Sequence, residues 1–325
     1  MTAPASSSAV TVLALQQLPD VGDQTISHVL RLMAQRGCAW DALCRVSPDD
    51  LVREWRLKPA AAARLVSGGE ALDAAARALW RRLTLAGGRI VTCTDATWPD
   101  RIVRCYEESP PAALTLVGRE ALLAPSAADR FTFGVAVSSA VPGSSTRAAQ
   151  AGTLQRCDEA TSALARLGGV VVTGHNRLPY QRAALAAQRI RTPVVYVIDK
   201  GLTNALGPEL NHPLFPAARI RDAEFQANID LALSPFAPSA PFVKDNNRRR
   251  DRVLFALCDL VVAGDVKEDG NMLEACLSAH RQRRCVVVLD GGGGGNRRLR
   301  EAGCLRQPDS DLGWRQIVST CVSAS

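Results

Sequence analysis

Residues 170–198, VVVTGHNRLPYQRAALAAQRIRTPVVYVI, place a segment of helical character between two short apolar stretches. Stretches 170–173 and 194–198 are continuously apolar and rich in β-branched residues, which is typical of strands buried on both faces. Segment 180–189 has the composition of a helix. A strand, a helix and a second strand in immediate succession predict a parallel βαβ unit.

The same alternation continues along most of the chain. Further strands are predicted at 90–94, 113–117, 132–138, 231–234, 260–263 and 285–289, and further helices at 146–167, 247–257 and 271–281. This order predicts an α/β fold, an extended Rossmann-like and mostly parallel sheet with helices on both faces. Ligands of such sheets bind on the loops that follow the strands, so each of those loops is a candidate site.

The N-terminal part of the chain has a different sequence pattern, without the alternation of strands and helices. Residues 1–85 predict a small all-helical domain, and residues 86–325 the Rossmann-like domain. Ile26, Val29, Leu30 and Met33 share one helix face, and Ser47 is a candidate N-cap. The turn LPDVG at 18–22 resembles a helix-hairpin-helix or SAM-like element. Both a DNA contact and a packing or oligomerisation role remain open for this domain.

Composition indicates a soluble protein. Apolar residues make up 47% of the 325 residues, and no stretch reaches the roughly 18 apolar residues that a membrane span needs. The sequence also lacks a secretory signal pattern. The ten cysteines are scattered without a C-x-x-C pair, which predicts reduced thiols, a cytoplasmic location, no structural metal and no cofactor.

The basic residues are strongly biased towards arginine. The formal net charge is +7, and lysine accounts for only four of the 39 basic residues. A GC-rich gene alone would produce this bias. Guanidinium groups also suit phosphate binding and stacking on bases. Clustering of the arginines therefore decides between the two interpretations better than net charge does.

The first informative loop follows the predicted strand 170–173. Gly174 allows a ligand to approach the backbone closely, and the free amides of the following helix start favour an anion. Arg177 would point at the same anion. The alternatives are an ordinary turn with a solvated arginine, and for His175 a hydrogen-bonded loop histidine.

The second informative segment is KDNNRRRDR at 244–252, directly before an apolar helix and its strand. It contains five basic residues against two acidic ones, namely Lys244, Arg248, Arg249, Arg250 and Arg252. Such a run is often a solvated surface. Cations near the positive end of a helix are unfavourable, however, and a bound polyanion would compensate for that cost. The segment therefore predicts a phosphate-binding surface.

The third segment, VVAGDVKEDGNMLEACLSA at 261–279, combines an acidic loop with a glycine at a helix start. Gly270 and the amides after it are predicted to cradle a phosphate. Glu274, one turn later, is either a catalytic carboxylate or a surface acid. The glycine run 291–295 lacks the Lys-Ser/Thr of a nucleotide-triphosphate loop, and we interpret it as a mobile flap.

Several of these segments carry short motifs in a characteristic order. They are the Trp-Pro pair and Ile at 98–102, the Pro-rich strand ending at 118, the loop 173–178, the Ser…Pro stretch 234–238, Arg-Asp-Arg at 250–252, the helix start 269–272 and the closing stretch 296–304. In this order and spacing they resemble the DNA-processing protein A (DprA/Smf) family over roughly residues 90–305. The loop 173–178 corresponds to the family's Ser-Gly-x-Ala-Arg-Gly pattern.

The sequence also departs from the family pattern. The first Rossmann strand, VAVSSAV at 135–141, lacks the usual Gly-Ser-Arg ending, Leu178 replaces a glycine and Tyr180 replaces an aspartate. The chain therefore resembles a divergent member. The resemblance implies single-stranded DNA binding without catalysis, self-association into homodimers and transfer of the strand to a RecA-type recombinase, in DNA uptake, recombination or defence.

Two other functions remain open. Gly270 and Glu274 keep the Gly-to-Glu spacing of the lysine-decarboxylase-like (LOG) phosphoribohydrolases, although the preceding glycines and the threonine are missing. In such an enzyme Glu274 would be catalytic, and Arg248 or Arg252 would hold the 5′-phosphate. A sensor that binds a nucleotide without chemistry is the other alternative.

Overall fold

The computed structural model describes residues 7–106, 110–123, 131–138, 147–215, 218 and 224–323. The chain forms two compact units. The first contains residues 1–117, 200–212 and 233–242, and the second contains residues 118–199, 213–232 and 243–325. The first unit thus includes more than the N-terminal helices, and the domain boundary at residue 85 stays a prediction.

The first unit is mainly helical. Its elements are α1 (Ser7–Leu15), α2 (Asp23–Arg36), α3 (Trp40–Cys44), α4 (Pro48–Arg53), α5 (Pro59–Leu85), β1 (Gly88–Thr92), α6 (Asp100–Cys105), β2 (Ala113–Gly118, whose last residue belongs to the second unit) and α9 (Leu202–Leu206). Strands β1 and β2 are antiparallel. The predicted apolar face of α2 is buried, and the Ser47 hydroxyl accepts a hydrogen bond from the Asp50 amide at 3.2 Å, as expected of an N-cap.

Helix α5 runs through the Ser-Gly-Gly stretch at 67–69. The sequence predicts a helix only from about Glu70 to Leu85, because glycine has a low helix propensity. In the structure the helix already begins at Pro59 and has a kink at Gly68, where φ is −139°. Gly69 is held by packing, because a Cβ there would lie 2.4 Å from the Cys44 sulfur. The Trp40 indole also donates a hydrogen bond to the Gly69 carbonyl at 3.1 Å. Tertiary contacts therefore override the low helix propensity of glycine.

The second unit contains a parallel sheet. Its strands are β3 (Thr132–Val137), β4 (Val170–Thr173), β5 (Val194–Val197), β7 (Leu260–Asp265), β8 (Cys285–Val288) and β9 (Leu305–Arg306). They pair in the order β5-β4-β3-β7-β8-β9, and every pair is parallel. Strand β6 (Leu231–Ser234) falls across the division between the two units.

Helices connect and cover these strands. They are α7 (Arg147–Arg166), α8 (Leu178–Gln188), α10 (Asn246–Ala256), α11 (Asn271–Arg281), α12 (Gly294–Glu301) and α13 (Asp311–Ser323), with a 3-10 turn at Glu120–Leu123. Every residue of β4 and β5 is buried, so both faces of the sheet are covered. The predicted Rossmann-like, mostly parallel α/β fold is confirmed.

The glycine run does not form a separate flap. Gly294 and Gly295 open helix α12, and a Cβ at Gly295 would lie 2.4 Å from the Val266 carbonyl oxygen. The buried Asn296 side chain accepts from the Val266 amide at 2.9 Å and donates to the carbonyls of Gly264 and Leu289. The run is glycine-rich because the backbone packs closely against its neighbours.

Candidate nucleic-acid interface

The loop after β4 is built by the start of helix α8. Arg177 is the N-cap residue, with extended backbone angles, and a proline stands in the first turn. The Thr173 hydroxyl donates to the Tyr180 main-chain carbonyl at 3.1 Å. The side-chain amide of Gln181 donates to the His175 main-chain carbonyl at 3.0 Å. These bonds tie the loop to the helix. The Arg177 side chain is exposed at this edge.

The five basic residues of segment 244–252 have different environments. Lys244 and Arg248 are exposed, while Arg249 and Arg252 are half-buried. Arg250 is completely buried, with 0% of its surface exposed. The segment is therefore not one uniform basic surface. Arg250 is a structural cation beneath the surface, and only the other four reach solvent.

Arg250 is the centre of a buried polar network. Its Nε donates to the Asp251 carboxylate at 2.7 Å. Its Nη1 donates to the Asn176 side-chain oxygen and its Nη2 to that of Asn247, both at 3.2 Å. The guanidinium carbon lies 4.7 Å from the centre of the Tyr180 ring. A planar fork with five donors can serve all of these partners at once, which an ammonium group cannot.

This network joins the two basic segments. The Asn176 amide donates to the Asn247 side chain at 3.2 Å, so residues 71 positions apart in sequence are in direct contact. Arg177 follows one of these asparagines and Arg248 follows the other. Burial raises the pKa of the Asp251 carboxyl, and the positive charges of Arg250 and Arg177 oppose that rise. The Arg177 charge is thus close enough to the start of α10 to lower the pKa of this carboxyl.

Two acidic groups of the site, Asp199 and Asp251, lie below the surface. Asp199, at the end of β5, is 2% exposed and accepts a hydrogen bond from the Asn176 amide. The side-chain amide of Asn246 donates to the main-chain carbonyl of Asp199 at 2.8 Å. The Nε2 atom of the buried His175 lies 3.8 Å from the Asp199 carboxylate. Buried carboxylates need such partners. Here they hold the loops in place.

The two predicted glycines differ in what they do. A Cβ at Gly174 would lie 2.3 Å from Nη1 of Arg250 and 2.8 Å from the Tyr180 ring. The group that approaches Gly174 closely is thus the chain's own guanidinium, where the sequence suggested a ligand. Gly270 has extended backbone angles, and a Cβ added there would meet no atom within 4 Å. Neither conformation nor space requires glycine at 270.

Glu274 lies beside one of the basic residues. Its carboxylate is 3.7 Å from the Arg248 guanidinium, with 70% and 53% of the two side chains exposed. Such an exposed pair is strongly screened by solvent. The acidic loop residues Glu268 and Asp269 are also exposed. Asp245, directly beside Lys244, is exposed as well. The edge therefore carries both charges, and the basic residues outnumber the acidic ones within segment 244–252.

Sequence reasoning missed the polar residues that organise the site. Asn247 and Asp199 were assigned no role, and the loop motif at 173–178 gave none to Asn176. The role of these residues depends on contacts between distant segments. In the described residues no three His, Cys, Asp or Glu side chains are grouped so that they could hold a metal ion. Every helix in the described part of the chain is too short or too polar to span a bilayer.

No known family model and no curated protein sequence matches this chain. Solved structures, in contrast, share its architecture of a Rossmann-like, mostly parallel sheet preceded by a helical region. DNA processing protein A from Streptococcus pneumoniae is similar with a TM-score of 0.68 and 18% sequence identity, over 93% of this chain and 94% of that chain. This α/β Rossmann-like chain thus has the fold of DNA processing protein A.

DNA processing protein A from Helicobacter pylori is also similar. Its structure has a TM-score of 0.52 and 16% identity over 72% of this chain and 98% of that chain, and that protein has a unique single-stranded DNA binding mode. At 18% and 16% sequence identity, the similarity to these two structures establishes the fold of this chain. The resemblance to DNA-processing protein A found in the sequence motifs is therefore confirmed for the fold.

Proposed function

We propose that the protein binds single-stranded DNA at the edge formed by the loop after β4 and the start of α10. The observation that carries this proposal is the Asn176–Asn247–Arg250 network, which brings Arg177 and Arg248 to one edge. Convergence of cations from separate loops provides successive phosphate contacts along a flexible strand.

The basic residues take different roles in this proposal. Arg177, Lys244 and Arg248 are exposed and contact phosphates directly, and Arg249 and Arg252 border the same surface. Arg250 is a positioning residue because its guanidinium is fully occupied within the protein. The exposed backbone at Gly270 is the remaining proposed phosphate contact, whereas Gly174 is buried against Arg250 and supports the site from within.

The interface is expected to show little sequence preference. Tyr180, the aromatic residue in the first turn of α8, is buried with its ring against Arg250, so it does not stack on a base. Binding then depends mainly on phosphate charge, and affinity falls steeply with salt.

Fluorescence anisotropy with a labelled oligo-dT, between about 50 and 200 mM salt, tests this proposal. The double variant Arg177→Gln/Arg248→Gln should bind at least about tenfold more weakly, since each phosphate contact by a cation contributes about 1.5 kcal/mol or more. Arg189→Gln is the matched control, because Arg189 is exposed at the opposite end of helix α8. A wild-type protein that does not bind, or a double variant equal to wild type, contradicts the proposal.

We infer a role in DNA processing from this interface and the shared fold. Within that role we propose a cytoplasmic homodimer that passes the strand to a RecA-type recombinase, in uptake, recombination or defence. The nine cysteines whose surroundings are described are free thiols, which is compatible with a reducing compartment. Light scattering at a series of concentrations tests the dimer, and recombinase loading on strands coated with a single-strand binding protein tests the transfer.

A further inference from the structure

A polar cavity lies in the first unit, and none of its lining residues belongs to the proposed DNA interface. It has a volume of about 360 Å³ and is lined by Gln24, Ser27, His28, Arg31, Arg56 and Pro110. The four residues from helix α2 are spaced three or four apart, so they present one continuous helix face to the cavity. Nothing in the proposed function uses this face.

The cavity has unneutralised positive charge. Arg31 and Arg56 are exposed, and neither forms an ion pair with any residue that the structure describes. The nearby carboxylate of Glu54 pairs instead with Arg36 at 2.9 Å and with Arg53 at 3.5 Å. The two guanidinium groups on the cavity therefore keep their donors available for a ligand.

His28 adds a third group of defined orientation. Its Nε2 lies 2.8 Å from the Glu54 carbonyl oxygen. A carbonyl can only accept, so Nε2 carries the proton of this bond and donates it. The ring is thereby fixed at the wall of the cavity.

Arg56 occupies a backbone position that favours glycine. Its φ is +57°, and it follows helix α4 where the Leu57 amide bonds back to the Leu51 carbonyl at 3.0 Å. Helices that end in this way usually have glycine at the left-handed position. Here the residue is an arginine whose side chain lines the cavity, despite the local conformational cost.

We propose that this cavity binds the phosphate monoester of a nucleotide. Two arginine forks match the double negative charge of a monoester, and bidentate guanidinium–phosphate contacts are strong and directional. The volume is within the range of small-molecule sites and leaves room for a sugar and base beside the phosphate. Pro110 supplies an apolar wall. This phosphate monoester belongs either to a free mononucleotide or to the phosphorylated 5′ end of a DNA strand.

Calorimetric titration with thymidine monophosphate, and with thymidine as the matched ligand lacking phosphate, tests the site. Wild-type protein should bind the monophosphate and not the nucleoside, and Arg31→Gln should weaken binding about tenfold or more. Arg56→Gly should lose affinity to the same extent while its melting temperature stays equal or rises, because glycine suits the left-handed position. Arg81→Gln, an exposed arginine of α5, should bind as wild type does.

Equal binding of thymidine, undiminished binding by Arg56→Gly, or no saturable binding of the monophosphate would each overturn the proposal. Oligo-dT with and without a 5′-phosphate then distinguishes the sources in the Arg177→Gln/Arg248→Gln background. If the protein prefers the phosphorylated strand and Arg56→Gly abolishes this preference, the ligand of the cavity is a strand end. If the protein binds the monophosphate but shows no such preference, the ligand is a free nucleotide. Because these variants lie in the first unit, failure here leaves the DNA interface unaffected.

Discussion

The Tyr180 phenol donates a hydrogen bond of 2.8 Å to the buried Asp251 carboxylate. Burial raises the pKa of this phenol well above its usual range, so it stays protonated and remains a donor. Its ring also lies against the Arg250 guanidinium. Tyr180 stands where the DNA-processing protein A pattern has an aspartate. The replacement therefore supplies both a donor and an aromatic face to the Arg250–Asp251 pair.

Tyr180→Phe should lower the free energy of unfolding by about 1–3 kcal/mol, because it removes a donor from a buried carboxylate while keeping the ring. Urea unfolding measures the change. Tyr196→Phe is the matched control, since the Tyr196 hydroxyl is also buried but receives its bond, at 3.2 Å, from the neutral Gln188 amide. A loss at Tyr180 no greater than at Tyr196 would count against a special role for the charged partner.

Gly174→Ala should lower the free energy of unfolding by about 1–3 kcal/mol, because its Cβ would meet Arg250 and the Tyr180 ring. DNA affinity should fall with it, as displacement of Arg250 loosens the Asn176–Asn247 contact. Gly270→Ala, where the added Cβ meets open space, should cost less than about 1 kcal/mol. Thermal or urea unfolding of the two variants compares them directly. Equal effects at both positions would refute the assignment.

Arg177→Gln should change the salt dependence of oligo-dT binding as well as its strength. Loss of one phosphate contact reduces the slope of log K against log salt by about 0.7 on a single strand. Arg189 lies about 18 Å from Arg177 along helix α8, from the rise of 1.5 Å per residue, and Arg189→Gln should leave the slope unchanged. Anisotropy titrations at several salt concentrations measure both. An unchanged slope for Arg177→Gln would place this residue outside the phosphate path.

Glu274→Gln should strengthen oligo-dT binding about twofold at low salt, because it removes a negative charge 3.7 Å from the Arg248 guanidinium. The gain should disappear at high salt, since both side chains are exposed and screened.

The phosphoribohydrolase hypothesis gives Glu274 a catalytic role instead. It predicts that the wild-type protein releases adenine from AMP and that Glu274→Ala does not. Chromatography of AMP incubated with wild-type protein should detect no free base.

The stability contributed by Asp230 should depend on pH. This residue is 2% exposed, and its carboxylate accepts bonds from the amides of Val194 and Gln226. Burial nevertheless raises its pKa above the ordinary value of 3.8. A carboxyl whose pKa is higher in the folded state stabilises the fold most below its unfolded pKa, and this contribution is lost as pH rises through the folded pKa.

Comparison with Asp230→Asn isolates this effect, because all other carboxyl groups are common to both proteins. The unfolding free energy of wild type minus that of the variant should fall as pH rises from about 3.5, and then level off above the folded pKa. Urea unfolding across this range measures the difference. A difference that stays constant, or that increases with pH, is incompatible with a raised pKa at Asp230.

The strands were predictable because each is a continuous apolar run. The eight predicted strands are all present, most of them within one or two residues of the predicted bounds. Strand β9 (Leu305–Arg306) was missed because it is two residues long and exposed, so it leaves no hydrophobic pattern. The continuation of α5 through Gly68 was also missed, since packing around Gly69 outweighs the local preference of the chain.

The sequence by itself determined the alternation of buried strands and helices. It also located Arg177 after a strand of a parallel sheet and the 244–252 segment at the start of a helix. Only the tertiary structure decided which of the basic residues face solvent. Consecutive helix residues are rotated by about 100° from one another, so the rotation of α10 against the sheet buries Arg250 while Arg248 stays exposed. That rotation depends on contacts with Asn176 and Tyr180. Both are far from α10 in the chain, so the sequence does not show that they meet it.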